Sequence, residues 1–206
     1  MHLVMRTVPA KIISLILHPI IMPALGMIVI FNSGTYLSYL PFDAKSIIFL
    51  VVVLCTIIIP LSLLTLFLYQ KLIMNIQIES RKERFFPFIT VFLFYSLCYV
   101  LLRRVPVPPA YYSFMLGCSV AILCITAVSV FWKISAHMTG IGGITGLIIF
   151  LIWSQRVNLQ FLLILSIISA GMIGYARLQI RAHNSAQVYS GFFAGLFSVG
   201  LTMMIY

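Results

Sequence analysis

Seven long apolar runs, separated by short polar connectors, dominate this sequence. Hydrophobic residues make up 63% of its 206 positions and charged residues only 8%, a composition that excludes an ordinary soluble domain. Runs of about 18 or more apolar residues are long enough to cross a hydrocarbon core of roughly 30 Å as a helix. The sequence therefore predicts an all-α fold, a polytopic transmembrane helical bundle.

The fifth apolar run is short, so the sequence predicts six or seven membrane segments, with one of them re-entrant or half-buried if the number is six. We interpret the first run as a retained helix and not as a cleaved leader. The connectors leave no room for a soluble domain, so residues 1–206 are expected to form a single integral-membrane domain. The runs lie at 12–31, 46–69, 86–102, 111–131, 140–153, 159–175 and 188–205.

The net charge of +10 comes from 13 Lys and Arg against three acids. These bases lie in short loops between spans, which favours roles in topology and in contact with anionic lipid, and no nucleic-acid partner is expected. Counting the crossings places the connectors at 70–85, 132–139 and 176–187 on the same side as the N-terminus. Nine bases lie on that side and four on the other, but the numbers become equal once five candidate site residues are set aside, so charge does not decide the orientation. These five are Arg81, Lys82, Arg84, Lys133 and Arg177.

Two of these connectors carry a His beside a base and hydroxyls. The first cluster, at 132–140, contains His137, and the second, at 176–191, contains Arg177 and His183. Polar clusters between membrane segments have no solvation reason to exist, so they indicate a site. A basic run at 81–84 belongs to the same predicted side.

This combination of residues suits phosphoryl transfer, which needs cations around the phosphate, a nucleophile, and an acid for the leaving oxygen. Arg177 and His183 are six residues apart, a spacing that lets one short loop hold a guanidinium and an imidazole around one phosphate. His137 supplies a second imidazole. Arg81 and Arg84 are three apart, so both point to one face at a helix start.

The second cluster has the pattern of a known family motif. Ala176 and Arg177 are followed after five residues by His183, and after three more by Gln187 and Val188. This string resembles the third motif of the type 2 phosphatidic acid phosphatase superfamily, the integral-membrane lipid phosphatases, which is Ser-Arg, five residues, His, three residues, Asp. The family's second motif, Pro-Ser-Gly-His, is approximated by residues 134–137, and the resemblance covers roughly residues 80–200.

The resemblance implies a phosphohistidine mechanism that uses neither a metal nor another cofactor. His183 would attack the phosphorus, and His137 would protonate the departing lipid oxygen. The substrate would be a lipid phosphate or diphosphate in a bacterial inner membrane, with the site facing the periplasm or exterior. The implied phosphate-binding residues are Arg177, Ser135, Arg81, Lys82 and Arg84.

Two departures from the family pattern matter for the chemistry. Gln187 stands where the family has Asp; its carbonyl can accept the imidazole Nδ1–H, but it lacks the charge that stabilises imidazolium. Activity could therefore be reduced, restored by Glu79 or Glu83, or lost. The family's first motif consists of Lys, six further residues and then Arg-Pro, and no such string occurs in this sequence. The segment at 81–87 is the nearest substitute in position and charge.

Two other functions stay open at this point. One is a catalytically impaired relative that binds phospholipid headgroups, and the other is a small membrane transporter or assembly protein. We interpret His18 as a polar packing residue of the first helix and Arg181 as a helix-end residue that reaches the interface. The sequence decides neither the particular lipid nor the oligomeric state.

Overall fold

The computed structural model describes residues 2–71 and 81–205, with side chains for 8–71 and 84–205. This part of the chain contains no strand, and seven of its helical segments are long and apolar enough to cross a membrane. The predicted all-α polytopic bundle is confirmed. The helices are α1 (His2–Ile16), α2 (Met22–Phe31), α3 (Phe42–Val53), α4 (Ile59–Tyr69), α5 (Arg81–Arg103), α6 (Pro109–Phe131), α7 (Ala136–Gln155), α8 (Gln160–Gln179) and α9 (Ser185–Ile205).

The first span is divided near its centre, so the expectation of one continuous helix over 12–31 is wrong. His18 has an extended backbone, with φ −70° and ψ 138°, and a single 3₁₀ turn over Pro19–Ile21 follows it. A residue before proline is disfavoured in the helical region, which explains the break. On the two sides of this break the halves contact different neighbours, since α1 packs on α8 and α2 packs on α7.

The second span is continuous but irregular. A π-helical turn over Leu54–Ile58 joins α3 to α4. Pro60 follows in the first turn of α4, where its missing N–H removes a backbone hydrogen bond from the helix. This pair of helices therefore forms one membrane crossing, Phe42–Tyr69.

Of the six or seven membrane segments expected, the described residues contain seven, and the fifth span is a full helix at the centre of the bundle. In the most apolar stretch of α7, 67% of the residues are buried, whereas the corresponding share is at most 44% in the other six spans. It contacts α2, α6, α8 and α9. The helix starts at Ala136, whereas the predicted apolar run starts at 140. The difference arises because polar residues at Ser135, His137 and Thr139 are typical of a connector.

Glycines bring the backbones of α7 and α9 into direct contact. A Cβ at Gly142 would overlap the backbone oxygen of Phe192, and a Cβ at Gly195 would overlap that of Thr139. Such small residues allow close helix approach where lipid offers no hydrophobic driving force for association. The starts of α7 and α9 therefore lie side by side.

Polar connectors meet at one end of the bundle, as the count of crossings predicts. The Ser135 backbone N–H donates to the Gln187 carbonyl at 3.3 Å. Arg84 Nη1 donates to the Ile134 carbonyl at 3.1 Å. At the other end, the Tyr111 hydroxyl donates to the Leu37 carbonyl.

Replacement of Gly195 by Ala should separate α7 from α9 and destabilise the protein by about 1–3 kcal/mol, because rigid backbone lies where the methyl group must go. Gly171 on α8 is the matched control, since a Cβ there meets nothing within 4 Å. Thermal unfolding of the two variants in detergent would test this. Equal melting temperatures for Gly195→Ala and Gly171→Ala would contradict it.

Candidate functional site

The candidate site lies where the starts of α5, α7 and α9 meet the end of α8. Arg177 belongs to the last turn of α8, where a cation interacts favourably with the helix dipole. His183 lies in the loop before α9, and His137 in the first turn of α7. The two sequence clusters are therefore brought together by the fold.

A tight turn carries the chain from α8 to α9. Arg181 adopts a left-handed conformation with φ 53°, and its N–H donates to the Leu178 carbonyl at 2.9 Å. The Arg181 side chain is exposed, in agreement with its interpretation as a helix-end residue, whereas His183 two residues later is only 8% exposed. The turn thus sends one side chain outward and folds the other into the site.

Two oxygens face the same nitrogen of His183 and so fix its tautomer. Nδ1 lies 3.2 Å from the Lys133 carbonyl and 3.1 Å from Gln187 Oε1. Both oxygens are acceptors, so Nδ1 must carry the proton and donate it. Nε2 then holds the lone pair, and it makes no hydrogen bond within the part of the chain described.

Gln187 holds this tautomer while it also caps α9. Asn184 Oδ1 accepts from the Gln187 N–H at 2.9 Å, and Gln187 Oε1 accepts from the Asn184 N–H at 3.3 Å. This reciprocal pair is a capping box. Because the Asn184 N–H requires an acceptor, it turns Oε1, and not the amide nitrogen, toward His183.

The environment of His183 keeps its ring neutral. Burial is the main cause that lowers its pKa, to about 4, and the positive charges of Arg177 and Arg84 lower it further. The hydrogen bonds to Gln187 and Lys133 act in the opposite direction without reversing the shift. At neutral pH the Nε2 lone pair is therefore available.

Arg177 is the electrostatic centre of the site. It lies within electrostatic reach of Arg84 and of the three imidazoles of His18, His137 and His183. Its Nε is buried and has no hydrogen-bond partner among the described residues. A buried N–H without an acceptor is costly, so this guanidinium is suited to an anionic ligand.

Carboxylates are nearly absent from the described region. The one described acidic side chain is that of Asp43, in the first turn of α3 at the opposite end of the bundle. Glu79 and the side chain of Glu83, the expected substitutes for the missing motif Asp, lie outside the described residues. No group of three or more His, Cys, Asp and Glu side chains that could hold a metal ion occurs in the region described.

The first span adds a third imidazole that sequence reasoning did not place in the site. The His18 ring meets the His137 ring edge-on, with centroids 5.2 Å apart and planes at 80°. His137 Nε2 donates to the Ser14 carbonyl at 3.1 Å. The available signal was His18 before Pro19 within an apolar run, since that pair predicts a helix break with a polar residue beside it.

The structure places two of the remaining predicted site residues at the site and does not describe the side chains of the other two. Ser135 is fully buried and caps α7, its Oγ accepting from the Met138 N–H at 3.5 Å, and its hydroxyl proton can still be donated. Arg84 is 6% exposed and lies beside the site. The side chains of Arg81 and Lys82 lie outside the described residues.

Comparison of the chain with models of known protein families, with curated proteins and with solved structures finds no match in any of the three. The interpretation of the site therefore depends on its own geometry and chemistry.

Acidification should destabilise the protein between pH 6.5 and about 4, in part through His183. Its pKa in the fold lies below the ordinary value of 6.5, so in this window the unfolded chain binds more protons and unfolding is favoured. After allowance for solvent screening, the contribution is roughly 1–2 kcal/mol. Melting temperature against pH in detergent is the measurement.

The matched variant is His183→Asn, whose amide N–H₂ stands close to the position of Nδ1–H but does not titrate. Its melting temperature should fall less over the same window. An equal fall in both proteins would show that His183 is not responsible.

Proposed function

We propose that this protein is a metal-independent membrane phosphatase that hydrolyses a lipid phosphate or diphosphate through a phosphohistidine at His183. One observation carries the proposal. The tautomer of His183 leaves a lone pair on Nε2 within reach of the charge of Arg177, whose buried Nε has no described partner. A nucleophile beside a cation suited to an oxyanion is what phosphoryl transfer requires.

In the first step, Arg177 and Arg84 hold the non-bridging oxygens of the phosphate. The Nε2 lone pair of His183 attacks phosphorus, and the bond from phosphorus to the leaving oxygen breaks with its electron pair on that oxygen. The negative charge of the bound phosphate stabilises His137 as imidazolium, which then gives a proton to the leaving oxygen. Its Nε2–H donates to the Ser14 carbonyl, so Nδ1 is the nitrogen that exchanges the proton.

In the second step, water attacks the phosphorus of phosphohistidine and releases inorganic phosphate. Neutral His137 takes a proton from that water at Nδ1, and the electron pair of the breaking bond returns to His183 Nε2. Gln187 Oε1 and the Lys133 carbonyl accept from Nδ1–H throughout. The ring therefore keeps its orientation in both steps.

The setting of the site supports a lipid substrate. Seven apolar spans indicate an integral membrane protein, and the site lies at one end of its bundle, where a headgroup can enter from the bilayer edge. The motif resemblance at 134–137 and 176–188 favours a bacterial inner membrane with the site on the periplasmic or exterior side. It also favours a phospholipid or polyprenyl phosphate over a soluble ester.

One feature favours a second function. Gln187 provides no negative charge beside Nδ1, so the positive ring of a phosphohistidine is stabilised less than it would be by a carboxylate. A relative that binds phospholipid headgroups without hydrolysing them would have this property. Measurement of phosphate release distinguishes a phosphatase from a protein that only binds the headgroup.

The purified protein should release phosphate from lipid phosphates in EDTA, and His183→Asn should abolish release while the variant stays folded. A trapped phosphoenzyme that is stable in base and labile in acid would identify phosphohistidine. Binding without any release would favour the headgroup-binding function, and release that persists in His183→Asn would exclude the mechanism.

Arg177→Gln should lower kcat/KM by on the order of 10²-fold, the usual cost of losing one charge-stabilising donor. Arg181→Gln is the control, because that side chain is exposed in the same loop and its loss should leave kcat/KM nearly unchanged. Comparable losses in both variants would mean that general positive charge, and not the position of Arg177, matters.

Gln187→Glu should keep the cap of α9 and add the charge that the family motif supplies. We expect faster phosphoenzyme formation, by on the order of 10-fold, because a carboxylate stabilises the positive ring. Rapid-quench measurement of phosphoenzyme checks this. A slower rate with unchanged melting temperature would contradict it.

A further inference from the structure

We infer that His18 is a phosphate-binding residue on the leaving-group side of the site, and that the substrate is a lipid diphosphate in preference to a lipid monophosphate. The inference rests on the proposed hydrolysis at His183. It assigns a role to a residue that the two motif clusters do not include.

The three imidazoles have a defined order. His137 interacts electrostatically with both His18 and His183. Its ring contacts that of His18, whereas within the described region no interaction joins His18 to His183. The ring contact puts His18 next to the proton donor, and we place it on the side of that donor away from the nucleophile.

The local backbone decides which nitrogen His18 presents. Its Nδ1 accepts from the Ile20 N–H at 3.3 Å and so caps the short turn over Pro19–Ile21. In a neutral ring the proton must then be on Nε2. Nε2–H is a donor for which the described residues provide no acceptor.

Charge favours an anion at this donor. Arg177 lies within electrostatic reach of His18 as well as of His183. A lipid monophosphate would release an uncharged alcohol here, leaving the Nε2–H of His18 without a strong acceptor in a half-buried place. A diphosphate releases a lipid phosphate, whose oxygens accept from Nε2–H and carry the charge that develops on departure.

An apolar cavity of about 40 Å³ lies next to the turn that follows His18. Its lining includes Pro19 and Ala136, the direct neighbours of His18 and His137, and no charged side chain. Such a cavity suits the first carbons of a lipid chain. We therefore place the lipid chain of the substrate on the His18 side of the site.

The test compares farnesyl diphosphate with farnesyl monophosphate, which share one chain. In EDTA the wild-type protein should have a kcat/KM at least about 10-fold higher for the diphosphate, since only its second phosphate can accept a charge-assisted hydrogen bond from the Nε2–H of His18. Equal values for the two substrates would overturn the inference and leave hydrolysis at His183 standing.

The matched variant is His18→Asn. Asn keeps an acceptor that caps the turn but lacks the Nε2 donor. It should lower kcat/KM for the diphosphate by about 10-fold and for the monophosphate by less than about 3-fold. Equal losses for both substrates, with an unchanged melting temperature, would show a structural role and would overturn the inference.

A binding measurement with two non-hydrolysable analogues distinguishes failure of the inference about His18 from failure of the proposed hydrolysis. If neither substrate is hydrolysed and His183 is never phosphorylated, the proposed hydrolysis is wrong. The farnesyl methylenediphosphonate and farnesyl phosphonate analogues then decide the role of His18 by thermal shift. Tighter binding of the diphosphonate that His18→Asn removes would support it, and equal binding of the two analogues would refute it.

Discussion

The backbone contact between α7 and α9 is the constraint on which the site depends. Gly142 and Gly195 let the two helices approach until each touches the other's main chain, and Gly191 extends this contact to the Ser135 carbonyl. Because α7 and α9 are parallel and start at the same end of the bundle, their first turns and the loops that cap them lie close together. This packing brings His137 and His183 to one end of the bundle, and hydrogen bonds between the connectors that precede α7 and α9 hold them there.

Much of the site could be predicted from the sequence, but the presence of the His18 imidazole in it could not. Arg177, in the last turn of α8, and His183, in the loop that follows, are six residues apart, so their spacing predicts their proximity. His18 is 119 positions from His137 in sequence, and its place follows from a break at Pro19 that an apolar run conceals. The start of α7 was missed for a related reason, because polar residues in a first turn read as connector although the turn is already helical.

Gln187 shows how one side chain can satisfy two requirements at once. Its Oε1 accepts from both the Asn184 N–H and His183 Nδ1, so helix capping and imidazole orientation use the same atom. The spacing of Gln187 from His183 predicts the imidazole contact, and its spacing from Asn184 before an apolar run is a sequence signature of a capping box. An amide at this position keeps all the geometry that a carboxylate would provide and omits only the charge.

The bond between the Ser14 carbonyl and His137 spans 123 positions of sequence. A chain emerging from the ribosome carries the first span long before the residues of α9 exist, and contacts between such distant segments form late in folding. The cluster is therefore incomplete until the final helix packs on α7. A nascent chain in the membrane would hold lipid-facing helices, but not the assembled group of imidazoles, for most of its synthesis.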